Sequence, residues 1–163
     1  TMRKLLLLLL VVVLAAGCVN EPGINEKKEN VPDTYAPGFA YEDLGGELWS
    51  LEALRGNVAV LYFWTASCPV CVRKIPDLAL LQEQLSEDVH LLMLNASDSA
   101  GKIQNLIGDS NLTVLVNTMD SFNDYEIAYV PTTVFIDKEG KVDQVHVGLL
   151  TNEKMLEIIE NLR

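Results

Sequence analysis

Residues 58–64 read Val-Ala-Val-Leu-Tyr-Phe-Trp, an apolar run with no charge, which predicts a strand buried on both faces. The period then changes. After Thr65-Ala66-Ser67 the apolar positions recur at helical spacing, and Cys71, Ile75, Leu78 and Leu85 fall near one stripe of a helix predicted over residues 69–86. Pro69 suits its first position, because the N–H that proline lacks has no acceptor there. Pro76, in the middle, predicts a bend. Further on, residues 89–95 form a second apolar strand, 100–108 a weak helix, 112–116 a third strand and 121–128 a short helix. Residues 131–136 and 141–147 predict a hairpin about Asp137-Lys138-Glu139-Gly140, and a last helix capped by Thr151 places Met155, Ile158, Ile159 and Leu162 on one face. Upstream, residues 39–44 and 47–50 predict two short strands about Gly45-Gly46.

The N-terminal part has a different composition. Met2-Arg3-Lys4 is a short basic start, residues 5–14 are unbroken apolar, and Ala15-Ala16-Gly17 leads to Cys18. This resembles a bacterial lipoprotein signal over residues 1–17, cut before Cys18, whose thiol then carries lipid; plain secretion or a short uncleaved anchor is the alternative. The apolar run is short of the roughly 20 residues that a helix needs to cross a bilayer. Residues 18–37 hold Asn25-Glu26-Lys27-Lys28-Glu29-Asn30 among Pro22, Gly23, Pro32 and Pro37, which predicts a flexible tether, and residues 38–163 are left as one domain.

Charge narrows the partners. The formal charge of the 163 residues is −11, and without Arg3 and Lys4 there are 10 basic against 23 acidic residues, or −13. Such a surface repels phosphate, so nucleic acid is not expected as a partner, and membrane contact should run through the lipid anchor alone. The expected place is outside the cytoplasm, on the outer face of a membrane, with the chain acting as a monomer.

Once Cys18 is set aside, Cys68 and Cys71 are the remaining thiols. In an oxidising compartment a lone adjacent pair is either a staple or a working redox couple. Closing so short a loop removes little unfolded-state entropy, so its value should be chemical. A thiol at a helix N-terminus meets free N–H groups and the positive end of the helix dipole, which favours its thiolate. Cys68 is therefore the expected nucleophile, and Cys71, one turn on and facing the interior, the resolving thiol.

A β-α-β half followed by a β-β-α half, with Cys-x-x-Cys at the first strand-to-helix junction, resembles the thioredoxin superfamily. The likeness is greatest to the membrane-tethered TlpA/ResA-like thiol-disulfide oxidoreductases. It extends over residues 39–163 and is carried by Phe63-Trp64, Pro76, Val130-Pro131-Thr132-Thr133, Ile136-Asp137-Lys138-Glu139-Gly140 and Gly148. It implies an α/β thioredoxin fold, a central mixed sheet flanked by helices, with an N-terminal β-hairpin and the TlpA/ResA-type central insertion at residues 96–118. It also implies protein dithiols or disulfides as substrates and no cofactor beyond the Cys68–Cys71 disulfide. Reduction is the favoured direction, with electrons from a transmembrane thiol carrier. By the same resemblance Pro131 is cis and lies beside the cysteines, Val130 offers backbone hydrogen bonds to an extended substrate, and Trp64, Pro69 and Val70 complete the positioning set.

Some residues depart from the family pattern. Tyr62 stands where plain thioredoxins carry a buried Asp, which removes the usual proton acceptor, and Ser67 stands where many relatives have Trp. Lys74 replaces a Glu of ResA-like members; it is either a cation that tunes a thiolate or an exposed lysine. Ile127-Ala128-Tyr129 replaces the glycine-rich approach of dedicated cytochrome c maturation reductases, which weakens that particular role. Two other functions fit less well. A thiol peroxidase would use Thr65-x-x-Cys68, but Leu61 takes the place of its proline and only Arg163 follows Arg73 to polarise a peroxide. A copper carrier would have two sulfurs with His90 and His146 to add, and cis Pro131 would block its site, so no metal is expected.

Overall fold

The computed structural model describes residues 34–163. The leader, Cys18 and residues 19–33 of the tether lie outside the described residues. A hairpin pairs β1 (Ala40–Glu42) with β2 (Leu48–Ser50). The main sheet holds β3 (Val58–Trp64), β4 (Val89–Asn95), β5 (Thr113–Leu115), β6 (Thr132–Ile136) and β7 (Val142–Val147) in the order β5-β4-β3-β6-β7. β3, β4 and β5 run parallel, whereas β6 and β7 are antiparallel additions, so the sheet is mixed as expected. Four helices accompany it: α1 (Pro69–Gln82), α2 (Ala100–Ile107), α3 (Met119–Asp124) and α4 (Asn152–Leu162).

The charge-free run of β3 is explained by its place at the centre. All of its residues are buried. Val58, Val60, Tyr62 and Trp64 pack with Cys71, Ile75 and Leu78 of α1, Ile103 of α2 and Met155 of α4. Ala59, Leu61 and Phe63 face the other way, toward Phe39 and Phe122. Each large side chain so removed from water contributes about 1.5–3 kcal/mol, which is why a central strand tolerates no polar face.

The ends of two predicted helices move most. α1 stops at Gln82, where Gln84 N donates to Leu81 O at 2.9 Å and tightens the chain into a turn; Leu85 still packs on the core from that turn. α1 does run through Pro76, which faces solvent. The helix predicted at 121–128 is α3, because Asn117 and Glu126 take φ of 55° and 54° and bound it on either side. The ordered contacts also begin earlier than composition indicates. Val142 N donates to Thr34 O at 3.1 Å, Ala36 N to Gly140 O at 2.9 Å and the Tyr125 hydroxyl to Pro37 O at 2.7 Å, so residues 34–37, read as tether, are docked on the domain.

His90 on β4 lies edge-on to Trp49, with ring centroids 5.8 Å apart. Burial holds its pKa below the ordinary 6.5, against the opposing pull of Asp88. The unfolded chain then binds this proton more readily than the folded one. The stability linked to His90 is therefore complete above about pH 6.5 and is lost as the pH falls through the lowered value. His90→Gln should flatten the acid side of the melting-temperature profile, measured from about pH 8 to about pH 5.

Candidate active site

β3 ends at Trp64, a turn covers residues 65–67, and Cys68 is the N-cap of α1 with Pro69 at its head. Cys68 N donates to Thr65 O at 3.2 Å and Val72 N to Cys68 O at 3.1 Å, while Cys71 N donates to Cys68 Sγ at 3.3 Å. The cysteines are joined as a disulfide, with Cα atoms 5.3 Å apart. Helical phase makes them unequal: Cys71, one turn in and on the stripe of Ile75 and Leu78, is fully buried, whereas Cys68 stands half-exposed at the rim.

The far wall is the approach to β6. The Val130–Pro131 peptide is cis, and Val130 O lies 3.8 Å from Cys68 Sγ. Gly148 N donates to Pro131 O at 2.7 Å and Thr132 Oγ1 to Tyr129 O at 2.7 Å, so this wall is fixed from both sides. Pro131 is buried, Val130 is half-buried, and Pro69 and Val70 are at the surface beside Cys68. Trp64 is fully buried in the apolar cluster that holds Cys71.

The two residues read as thiolate tuners are occupied otherwise. Lys74 is only 7% exposed, so it is not the exposed lysine that its charge suggests. Its ammonium donates to Asp77 Oδ2 at 3.3 Å and to Asn152 Oδ1 at 2.9 Å, which joins α1 to the head of α4 and makes no hydrogen bond to either sulfur. Tyr62 is buried, its hydroxyl has no partner among the described residues, and burial pushes its phenol far above the ordinary range. It stays protonated at any working pH, so it takes no proton from a thiol. Arg163 is paired with Asp88 and Glu160, His90 packs on Trp49, and His146 lies opposite Thr133 in β7. Among the described residues no three His, Cys, Asp or Glu side chains gather where they could hold a metal ion.

Sequence reasoning missed Asn95 and Asp98. Asp98 Oδ2 accepts from Ala66 N at 2.7 Å and from Asn95 Nδ2 at 3.1 Å, and Oδ1 accepts from Lys102 Nζ at 2.9 Å. Burial raises the pKa of this carboxyl, but the Ala66 amide, Lys102 and Asn95 outweigh it and hold the group below its ordinary 3.8. The register gives the signal that could have found the pair. β3 and β4 are parallel with Trp64 opposite Asn95, so both strands deliver their C-terminal loops to the same edge, where sites of open α/β sheets gather.

Reduction of the disulfide would leave Cys68, beside the Cys71 amide, as the sulfur nearer the surface. Attack by its thiolate on a substrate disulfide would form the Cys68–substrate bond and expel one substrate thiolate, which takes up a proton. Cys71, once deprotonated, would then attack Cys68, re-form the internal disulfide and expel the second thiolate, so that two electrons pass from the protein to the substrate. Run backwards, the same steps oxidise a substrate dithiol.

Fold and site together define a thiol-disulfide oxidoreductase built on the thioredoxin fold. The chain belongs to the Redoxin family, whose model matches residues 30–162. It is 31% identical over 140 residues to the thiol-disulfide oxidoreductase ResA of Bacillus subtilis, covering 83% of this chain and 78% of that protein. It is 30% identical over 132 residues to ResA of Halalkalibacterium halodurans, covering 78% and 75%. Among solved structures it is similar to the pneumococcal exposed lipoprotein thioredoxin Etrx1 of Streptococcus pneumoniae, with a TM-score of 0.71, 25% identity and coverage of 77% and 100%.

Proposed function

We propose that this oxidoreductase works as a reductase of protein disulfides outside the cytoplasm, held at a membrane surface through lipid on Cys18 and recharged by a membrane dithiol carrier. The observation that carries the direction is how few hydrogen-bond donors surround Cys68 Sγ. A strongly oxidising couple needs a reduced form that its surroundings favour. Here Pro69 removes one amide from the head of α1, the Cys71 amide donates at 3.3 Å, and the negative end of the Val130 carbonyl stands 3.8 Å away. The nearby cation, Lys74, is engaged with Asp77 and Asn152. The leader pattern ending in Cys18 supports the tether, as does the likeness to a solved protein described as an exposed lipoprotein. No helix among the described residues is long and apolar enough to cross a membrane.

Redox titration of the full chain in thiol buffers tests the direction. The expected midpoint lies near the thioredoxin value of about −270 mV, and a midpoint near about −120 mV would make the protein a disulfide donor instead. Cys18→Ala should release the protein from the membrane fraction of expressing cells; retention there would overturn the lipid anchor.

A further inference from the structure

The turn that presents Cys68 is held from outside itself. Over residues 65–67 its own hydrogen bonds are local: Cys68 N to Thr65 O at 3.2 Å, and the Thr65 and Ser67 hydroxyls 3.1 Å apart. Neither fixes the turn to the rest of the fold. Ala66 N does, by donating at 2.7 Å to Asp98, a residue 32 positions away at the head of α2. Asp98 is anchored in turn. Its own N–H donates to Asn95 Oδ1 at 2.9 Å, Asn95 is fully buried, and Thr118 Oγ1 donates to Asn95 O at 3.0 Å from the start of α3. The segment inserted after β4 thus reaches the active-site turn through one carboxylate, in a hydrogen bond strengthened by its charge.

We propose that Asp98 is a positioning residue of the redox couple: by gripping Ala66 N it keeps Cys68 at the N-cap of α1, where the freed thiolate meets the Cys71 amide. Loosening the turn would let Cys68 drift off the cap, and the thiolate would lose that donor. A carboxylate acting only through its charge would have the opposite effect, since its negative field disfavours a neighbouring thiolate. The two roles therefore predict changes of opposite sign when Asp98 is removed. The inference rests on thiol-disulfide exchange at Cys68 and not on the direction of electron flow, so the midpoint of the unaltered protein bears on the preceding proposal alone.

The experiment tracks Cys68 thiolate absorbance against pH in the reduced protein, the rate of attack on a small aromatic disulfide, and the melting temperature. Asp98→Ala should raise the Cys68 pKa by about one unit, with an approximately tenfold loss of thiolate near neutral pH and a rate loss of about three- to fourfold, because the more basic thiolate is the better nucleophile. Asp98→Asn, whose amide oxygen still accepts from Ala66, should restore most of both. Lys102→Met removes the ion pair while leaving the Ala66 contact, and should leave pKa and rate unchanged. Asp98→Ser, one atom too short to reach Ala66, should repeat the alanine result if the alanine variant folds poorly. A lower melting temperature with an unmoved pKa would reduce Asp98 to a structural part and overturn the proposal. A pKa lowered in both the alanine and asparagine variants would overturn it in favour of a bare charge effect.

Discussion

Cys68→Ser should cut turnover of a protein disulfide by several orders of magnitude, while Cys71→Ser should still attack but fail to let go. The asymmetry comes from burial. Cys68 is the half-exposed sulfur at the head of α1, and a serine hydroxyl there is not ionised and forms no disulfide. Cys71 is fully buried, so its replacement should leave the first attack intact and delete the only thiol among the described residues beside Cys68 that could reach the Cys68–substrate bond from inside. The expected product is a stoichiometric mixed disulfide, seen as an adduct by mass spectrometry under non-reducing conditions and cleared by dithiothreitol. Adducts formed by the Cys68→Ser variant instead, or normal turnover by Cys71→Ser, would reverse the assignment of roles.

Phe63→Ala should cost about 4 kcal/mol of stability, or a fall of about 10 °C or more in melting temperature. Phe63 is fully buried on the side of β3 opposite α1. Its ring meets Phe122 edge-on at a centroid distance of 5.1 Å and Tyr125 at 5.4 Å. These residues belong to α3 and the turn after it, from which the chain proceeds to Val130 and Pro131. The cavity would thus open beneath the segment that forms the wall facing Cys68. Thermal melting gives the stability, and limited proteolysis should find its first new cut between α3 and β6. Wild-type melting with an unchanged cleavage pattern would show that Phe122 and Tyr125 are held without Phe63.

What was legible in the sequence is what local periodicity encodes. β3 shows in its lack of charge, α1 in its stripe, and the β6–β7 hairpin in Asp137-Lys138-Glu139-Gly140, because each of these signals lies within a few residues of the element it specifies. The unequal burial of Cys68 and Cys71 was legible too, since helical phase alone separates them. Contacts distant along the chain were not. Lys74 looks like a surface charge until Asn152, 78 positions on, is found to accept from it. Asp98 looks like a loop aspartate until the parallel register of β3 and β4 brings its carboxylate to Ala66. The bounds of α3 were missed for a different reason: left-handed backbone at Asn117 and Glu126, residues that do not announce it as a glycine would.

The docking of residues 34–37 also gives the molecule a front and a back. Thr34 meets Val142 at the start of β7, opposite the end of β6 and beside the start of β3, whereas the cysteines lie past the other end of β3. The length of that strand, about 20 Å, separates the two poles. An attachment ahead of Thr34 would therefore join the domain at the pole opposite its sulfurs. If it is leashed closely to a surface as proposed, such a domain would meet partners arriving from the open side without moving, yet would have to roll over to meet one lying in the surface itself. A short leash would then favour delivery over recharging, and a longer one would allow the same face to visit both.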